Sequence, residues 1–124
     1  MAVTFTRKQR LLTAAEFGRV FAEQKLRSVD NSLTLLAAPN NVGHPRLGLA
    51  IAKKQVRRAV DRNRCKRVIR DSFRHHADQL PAIDIVVLAR SELVRTDKRQ
   101  LHDKLARHWL RLNKRWQQSK PNNP

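Results

Sequence analysis

The chain has 124 residues, with 27 Lys or Arg against 10 Asp or Glu, a formal net charge of +17 with His neutral. That length suits one domain, and its lone cysteine, Cys65, excludes an internal disulfide framework and a multi-cysteine zinc site. No run approaches the roughly 20 apolar residues of a membrane span, residues 1–10 lack a signal-peptide core, and the expected compartment is a reducing cytoplasm. So large a positive excess repels itself and calls for a polyanionic partner, with nucleic acid ahead of an anionic membrane surface.

The first element is marked by Thr13-Ala-Ala-Glu16, a capping-box pattern in which each end satisfies a backbone N–H of the other. Leu12 and Phe17 sit at hydrophobic-staple positions around it. A helix over about 14–23 follows, with Phe17, Val20 and Phe21 as an i, i+3, i+4 stripe. Residues 33–38 and 47–52 are short apolar strand candidates, separated by a loop rich in Pro, Asn and Gly. Their spacing predicts an antiparallel hairpin with a long loop. Residues 83–89 form a near-continuous β-branched run, expected as a buried central strand, with Asp84 its one polar interruption.

Between the second and third strands, Cys65, Val68, Ile69, Ser72, Phe73 and His76 recur at helical spacing. Val56, Ala59 and Val60 fall on the opposite azimuth, so a tight turn or short coil is expected before a helix starting near Asp61. Thr96 is the expected N-cap of a last helix, whose apolar face Leu101, Leu105, Trp109, Leu112 and Trp116 runs to about Arg115. The order is αββαβα, an α+β fold with helices covering one side of a small mixed sheet. One domain spans residues 1–124, with an ordered core of about 10–116 and a frayed polar tail over 117–124.

The charge is not evenly spread. Residues 53–74 hold ten basic and two acidic side chains, and residues 95–116 hold eight and two. A basic helix face is ordinarily neutralised by i, i+4 carboxylates, but Asp61 and Asp71 are too few for this one. Arg58, Arg62, Lys66, Arg70 and Arg74 even recur at i+4, a repulsive spacing without an external anion. Arg67, Arg70 and Arg74 point away from the apolar stripe with Asn63 beside them, and Arg62, Arg64 and Lys66 flank it. Arginine binds phosphate through planar bidentate contacts and stacks on bases. The apolar face is core-like and lacks a membrane-inserting wedge, and strands flanking the helix fit a helix-turn-helix DNA reader poorly.

Arg62-Asn63-Arg64-Cys65-Lys66-Arg67-Val68-Ile69-Arg70, following a strand that leads into Lys53-Lys54, resembles the signature of the bacterial ribonuclease P protein subunit. Phe17 and Phe21 on a short first helix, the strand containing Gly48, and the 83–89 strand ending in Arg90 agree with that pattern. The resemblance implies an α+β sandwich with a left-handed βαβ crossover, where general chain sterics favour the right-handed form. It implies a subunit of an enzyme that removes the 5′ leader from precursor tRNA by Mg²⁺-dependent hydrolysis, with catalysis on an RNA subunit. The partners implied are that catalytic RNA and precursor tRNA, without membrane or DNA.

By the same resemblance, Arg62, Asn63, Arg64, Lys66, Arg67 and Arg70 contact the RNA subunit, with Arg57 and Arg58 nearby. Phe17, Phe21, Lys53 and Lys54, together with Arg90, would hold the single-stranded leader in a cleft between the first helix and the sheet. Plain core packing is the competing account of the two phenylalanines. Many relatives carry an aromatic on the first strand, and residues 33–38 have none. Cys65 reads as a small buried hydrophobe. No acid–base pair or metal-binding carboxylate motif marks catalysis by the protein. The rival class is a structural RNA-binding protein of the ribosomal kind.

Overall fold

The computed structural model describes residues 7–119, and the expectations for residues 1–6 and 120–124 lie outside it. The first helix, α1, is Ala14–Glu23, and both halves of the Thr13–Glu16 capping box form. Four strands follow: β1 (Leu26–Val29), β2 (Leu33–Pro39), β3 (Arg46–Ala50) and β4 (Ile83–Ala89). They form one mixed sheet in the order β1-β2-β4-β3. The buried β-branched run of β4 takes the central position, antiparallel to β2 and parallel to β3.

This corrects the expected hairpin. β4 inserts between β2 and β3, so the loop after β2 carries the chain across a strand instead of turning it back. The Asn40 N–H bonds to the Ala82 carbonyl at the start of β4, and Gly43 takes the left-handed conformation (φ 80°) the loop requires. The tight hairpin joins β1 to β2, where Asp30 Oδ1 accepts from the backbone N–H groups of Ser32 and Leu33. β1 was not foreseen, because four residues with two buried ones give too little alternation to read.

The helix α2, Ala59–His76, links the parallel pair β3 and β4, which completes a βαβ unit. Val56 is buried ahead of the helix in a turn closed by its N–H to Ala52, whereas Val60 in the first turn is 59% exposed. That explains the break in apolar phase. Cys65, Val68, Ile69, Ser72 and Phe73 are buried, and His76 only partly. The last helix, α3, is Lys98–Ser119, so its helical assignment extends through residues 117–119. Its N-cap is Asp97, which exchanges hydrogen bonds with Gln100. Thr96 is instead buried, donating to the Glu92 carbonyl and meeting Ser32 Oγ at 2.7 Å.

The two faces of the sheet carry different loads. One face packs Leu33, Leu35, Ile83, Ile85 and Val87 against α2 and α3 in the main core, where Phe73 meets Trp109 edge-on at 5.8 Å. The other face packs Leu36, Ala38 and Val86 against Leu11 and Val20, with Phe17 partly covered. Helices therefore lie on both sides of the sheet, and α1 with the Leu11 segment ahead of it covers the second.

Polar anchors fix these layers. Asp84, fully buried on β4, accepts from Arg46 Nε at 2.8 Å and Nη2 at 2.7 Å, and from Asn40 Nδ2 at 2.8 Å. Arg19 of α1 bonds to the same carboxylate, and Arg46 also reaches Glu16 Oε2 at 3.1 Å. Glu16 thus caps α1 and ties it to β3. A second anchor is His108, fully buried on α3, whose Nε2 lies 2.7 Å from Asp30 Oδ2 and whose Nδ1 lies 2.7 Å from Ser28 Oγ. An ionised carboxylate only accepts, so Nε2 carries a proton and donates it to Asp30. Arg111 and Arg115 of α3 donate to the Val29 and Arg27 carbonyls, covering the outer side of edge strand β1.

Burial alone would raise the Asp84 pKa, but the hydrogen bonds from Arg46, Asn40 and Arg19 outweigh it and hold the carboxyl below its ordinary range. A depressed folded-state pKa gives stability that is present above the unfolded value and lost as pH falls through the folded one. Asp84→Asn should cost about 3–5 kcal/mol near neutral pH by leaving two arginines without their anion. That gap to the parent chain should narrow below about pH 4. Denaturant melts across pH 2–7 check this, and a gap that stays constant with pH would contradict it.

Candidate nucleic-acid interface

The cationic face of α2 follows from its core stripe: once Cys65, Val68, Ile69, Ser72 and Phe73 are buried, Asn63, Arg67 and Arg70 must face outward, and they are exposed. Arg64 and Lys66 flank them, half-buried. Arg57 and Arg58 are exposed just before the helix, with Arg58 Nε 3.9 Å from Asp61. Arg62 departs from the free-cation picture: its Nη1 donates to the Val56 and Arg57 carbonyls at 3.0 and 2.7 Å, securing the turn that leads into α2.

The helix's other acid, Asp71, is engaged with Arg74, whose hydrogen bond and charge hold its carboxyl below the ordinary range. No carboxylate among the described residues pairs with Arg64, Lys66, Arg67 or Arg70. Burial, and then the like charge of Arg10, depress the Arg70 pKa. The like charge felt by Arg70 thus comes from the segment before α1 and not from its i+4 neighbours. Cys65 is fully buried and its thiol pKa is pushed up by that burial, which suits a core residue and not a nucleophile.

Beside these cations lies a groove of about 680 Å³ between α2 and α3. Arg64, Arg67, Arg70 and Arg74 line one side, Lys98 and His102 the other. Sequence reasoning assigned no site role to Lys98 or His102, because their approach depends on how α3 packs on α2. The excess of basic residues over 95–116 was their only visible signal.

The second surface is the half-covered sheet face. The Glu16–Arg19 flank of α1 is pinned at the Arg46–Asp84 row, so α1 leaves the next rows toward Ala50 and Leu88 open. Register sets Thr34, Leu88 and Ala50 side by side, and all three are half-buried. Phe17 and Phe21 lie one turn apart on the flank of α1 opposite Arg19. Phe17 is half-buried against the sheet, and Phe21 is 44% exposed. Lys53 and Lys54 are exposed in the turn after β3, and Arg90 is exposed just past β4. Because β3 and β4 are parallel, those three cations emerge at the same end of the sheet. The floor residues Thr34, Ala50 and Leu88 were not read as site residues, since their role depends on strand register. Thr34 and Leu36 on β2 face this side, and neither is aromatic.

Ser28, His108 and Asp30 have the residue types of a hydrolytic triad. Ser28 and His108 are fully enclosed, so the hydroxyl reaches no substrate, and the trio serves to fasten α3 to β1. Burial would raise the Asp30 pKa, but bonds from His108 and from the Leu33 and Ser32 N–H groups hold it far below the ordinary range.

A small α+β domain with an unneutralised arginine face on one helix and a half-open aromatic sheet face on the other side belongs to the class of RNA-binding proteins by its surfaces. Comparison with known proteins narrows this. The family profile described as Ribonuclease P matches residues 5–113. The chain is 49% identical over 110 residues to the ribonuclease P protein component of Chromohalobacter salexigens, covering 89% of this chain and 86% of that one. It is 50% identical over 111 residues to that of Methylococcus capsulatus, covering 90% and 86%. The Thermotoga maritima RNase P protein structure is similar at a TM-score of 0.72 and 28% identity, covering 81% of this chain and 94% of that one. That from Staphylococcus aureus gives 0.74 and 29%, covering 82% and 92%. The chain belongs to the ribonuclease P protein family.

Gly48 shows how closely α1 lies on the sheet. A Cβ at this position would stand 2.6 Å from Phe17 Cζ and 3.0 Å from Leu11 Cδ1. Gly48→Ala should force the Phe17 ring aside and lower stability by about 1–3 kcal/mol. A thermal melt reads this, and an unchanged melting temperature would show that Phe17 does not rest on β3.

Proposed function

We propose that this chain is the protein subunit of a ribonuclease P ribonucleoprotein and assists an RNA catalyst in removing the 5′ leader from precursor tRNA. The observation that carries the reading is the α2 face, where Arg64, Lys66, Arg67 and Arg70 stand without carboxylate partners. Such a face is stabilised when phosphates replace the missing anions. In this reading it binds the RNA subunit, with Asn63 able to donate to and accept from a base edge or ribose hydroxyl. Arg57 and Arg58 extend the contact. Arg62 contributes mainly by holding the preceding turn.

The leader belongs on the open sheet face. Phe21 and the exposed part of Phe17 offer stacking surfaces over a floor of Thr34, Ala50 and Leu88, and Lys53, Lys54 and Arg90 take the backbone. Stacking is worth roughly 1–3 kcal/mol per base and tolerates any sequence, as a processor of many precursors needs. In place of an aromatic on β2, that strand offers aliphatic contact alone.

The Mg²⁺ implied by the resemblance is assigned to the RNA. Among the described residues, no group of three or more His, Cys, Asp or Glu side chains is placed to hold a metal ion. Asp84 is committed to Arg46, Asp30 to His108 and Glu16 to the α1 cap. The protein's part is to grip, position and neutralise. Among the described residues, no helix is long and apolar enough to cross a membrane.

Reconstitution tests the proposal. The full chain is combined with a bacterial ribonuclease P RNA and a precursor tRNA at low Mg²⁺. The protein alone should cut nothing and the RNA alone little, while the pair should release the leader and leave a 5′-phosphate on the tRNA. Binding of the RNA without any gain in cleavage would favour a purely structural RNA-binding role.

A further inference from the structure

The groove between α2 and the first turn of α3 is concave, strongly cationic and not explained by the α2 face alone. Four guanidinium groups and Lys98 surround it, and its one carboxylate, Asp71, is bound to Arg74 at 2.9 Å. Val68 and the aliphatic stems of the arginines form its floor. At about 680 Å³ it falls within the roughly 300–1,000 Å³ range of small-molecule clefts. Lys98 and His102 are one turn apart on α3 and both face this groove. His102 is one-third exposed, and its Nε2 lies 3.9 Å from Asp71 Oδ2, too far for a hydrogen bond that would fix the ring.

Each property separates one kind of ligand from another. The exposed outer side of α2 can meet duplex phosphates directly, whereas a recess between two helices suits a single base turned out of its stack. An apolar floor ringed by guanidinium planes suits the flat face of a base, and the cations at the rim suit its phosphate. An imidazole free to turn on the opposite wall adds a second stacking surface.

We propose that this groove takes one unstacked nucleotide of the RNA partner, with Lys98 on its phosphate and His102 against its base. The proposal rests on the RNA-binding reading above and deepens it. α3 becomes a second wall of the RNA site, and recognition of the partner includes a splayed-out nucleotide as well as backbone charge. This accounts for part of the basic excess over residues 95–116 that the α2 face leaves unexplained.

The test measures affinity of the full chain for a bacterial ribonuclease P RNA transcript over a range of salt concentrations. Lys98→Ala should lower affinity and reduce the slope of log affinity against log salt by about one, the signature of one lost phosphate contact. His102→Ala should weaken binding roughly five-fold to a hundred-fold, as expected for a lost base stack, and His102→Phe should restore it. An unchanged slope in Lys98→Ala, or His102→Phe binding as weakly as His102→Ala, would overturn the proposal. Arg67→Ala separates the two levels. If it weakens binding while Lys98→Ala and His102→Ala do not, the groove assignment fails and the RNA-subunit reading stands. If Arg67→Ala binds as tightly as the parent, both fail. Lys98 is exposed, so its replacement leaves the core untouched, and thermal melts of each variant confirm folding.

Discussion

The buried carboxylate of Asp84 is the contact on which the arrangement of the rest depends. It sits on the central strand, fully enclosed, and gathers Arg46 from the neighbouring strand, Arg19 from α1 and Asn40 from the crossing loop. A lone buried charge would be costly, and it is tolerated because cations and an amide surround it. Its placement has a functional consequence. By pinning one flank of α1 to one end of the sheet, it leaves the other rows of that face open, with Phe17 and Phe21 along the margin. The same carboxylate that closes part of the sheet thereby defines the open part.

A chain with 27 basic and 10 acidic residues has few anions to distribute, and their distribution is informative. Asp84, Glu16 and Asp30 are used inside, joining α1 to the sheet and α3 to β1. Asp71 and Asp61 on α2 each serve a nearby arginine, Arg74 on the same helix and Arg58 just before it. Uncompensated cations stand on the outer face of α2, at the end of the sheet beside Arg90, Lys53 and Lys54, and along α3, where residues 95–116 hold eight basic and two acidic side chains. Internal anions build the frame, and external anions must complete the surface. Charge self-repulsion that weakens the free protein becomes binding energy when phosphates arrive.

Local signals in the sequence were legible where a short-range rule decided the outcome. The capping box placed α1 to the residue, the apolar stripe of α2 identified its buried side, and the β-branched run marked β4 as central. Long-range pairing was not legible. Two strands with a loop between them look like a hairpin until a third strand, beyond the whole of α2, claims the space between them. Thr96 resembled an N-cap because its type fits, but the hydroxyl is consumed by Glu92 and Ser32, and Asp97 takes the role. Asp84 read as a blemish in a strand, since its partners come from distant segments. On the candidate site, the outward cations of α2 followed from helical phase. The floor of the sheet face needed register, and the groove with Lys98 and His102 needed helix packing. Arg62 could not be separated from its neighbours by sequence, because only the turn at Val56 reveals its inward commitment.

The central claim is that two faces do separate work: α2 holds the catalytic RNA, and the sheet face holds the leader. The most direct measurement compares Phe21→Ala and Arg67→Glu in the reconstituted particle. It reads affinity for the RNA subunit and, separately, the particle's preference for leader-bearing precursor over mature tRNA. The account predicts that Phe21→Ala lowers the preference while assembly is unchanged, and that Arg67→Glu weakens assembly while assembled particles keep their preference. Equal loss of both properties in both variants would contradict it.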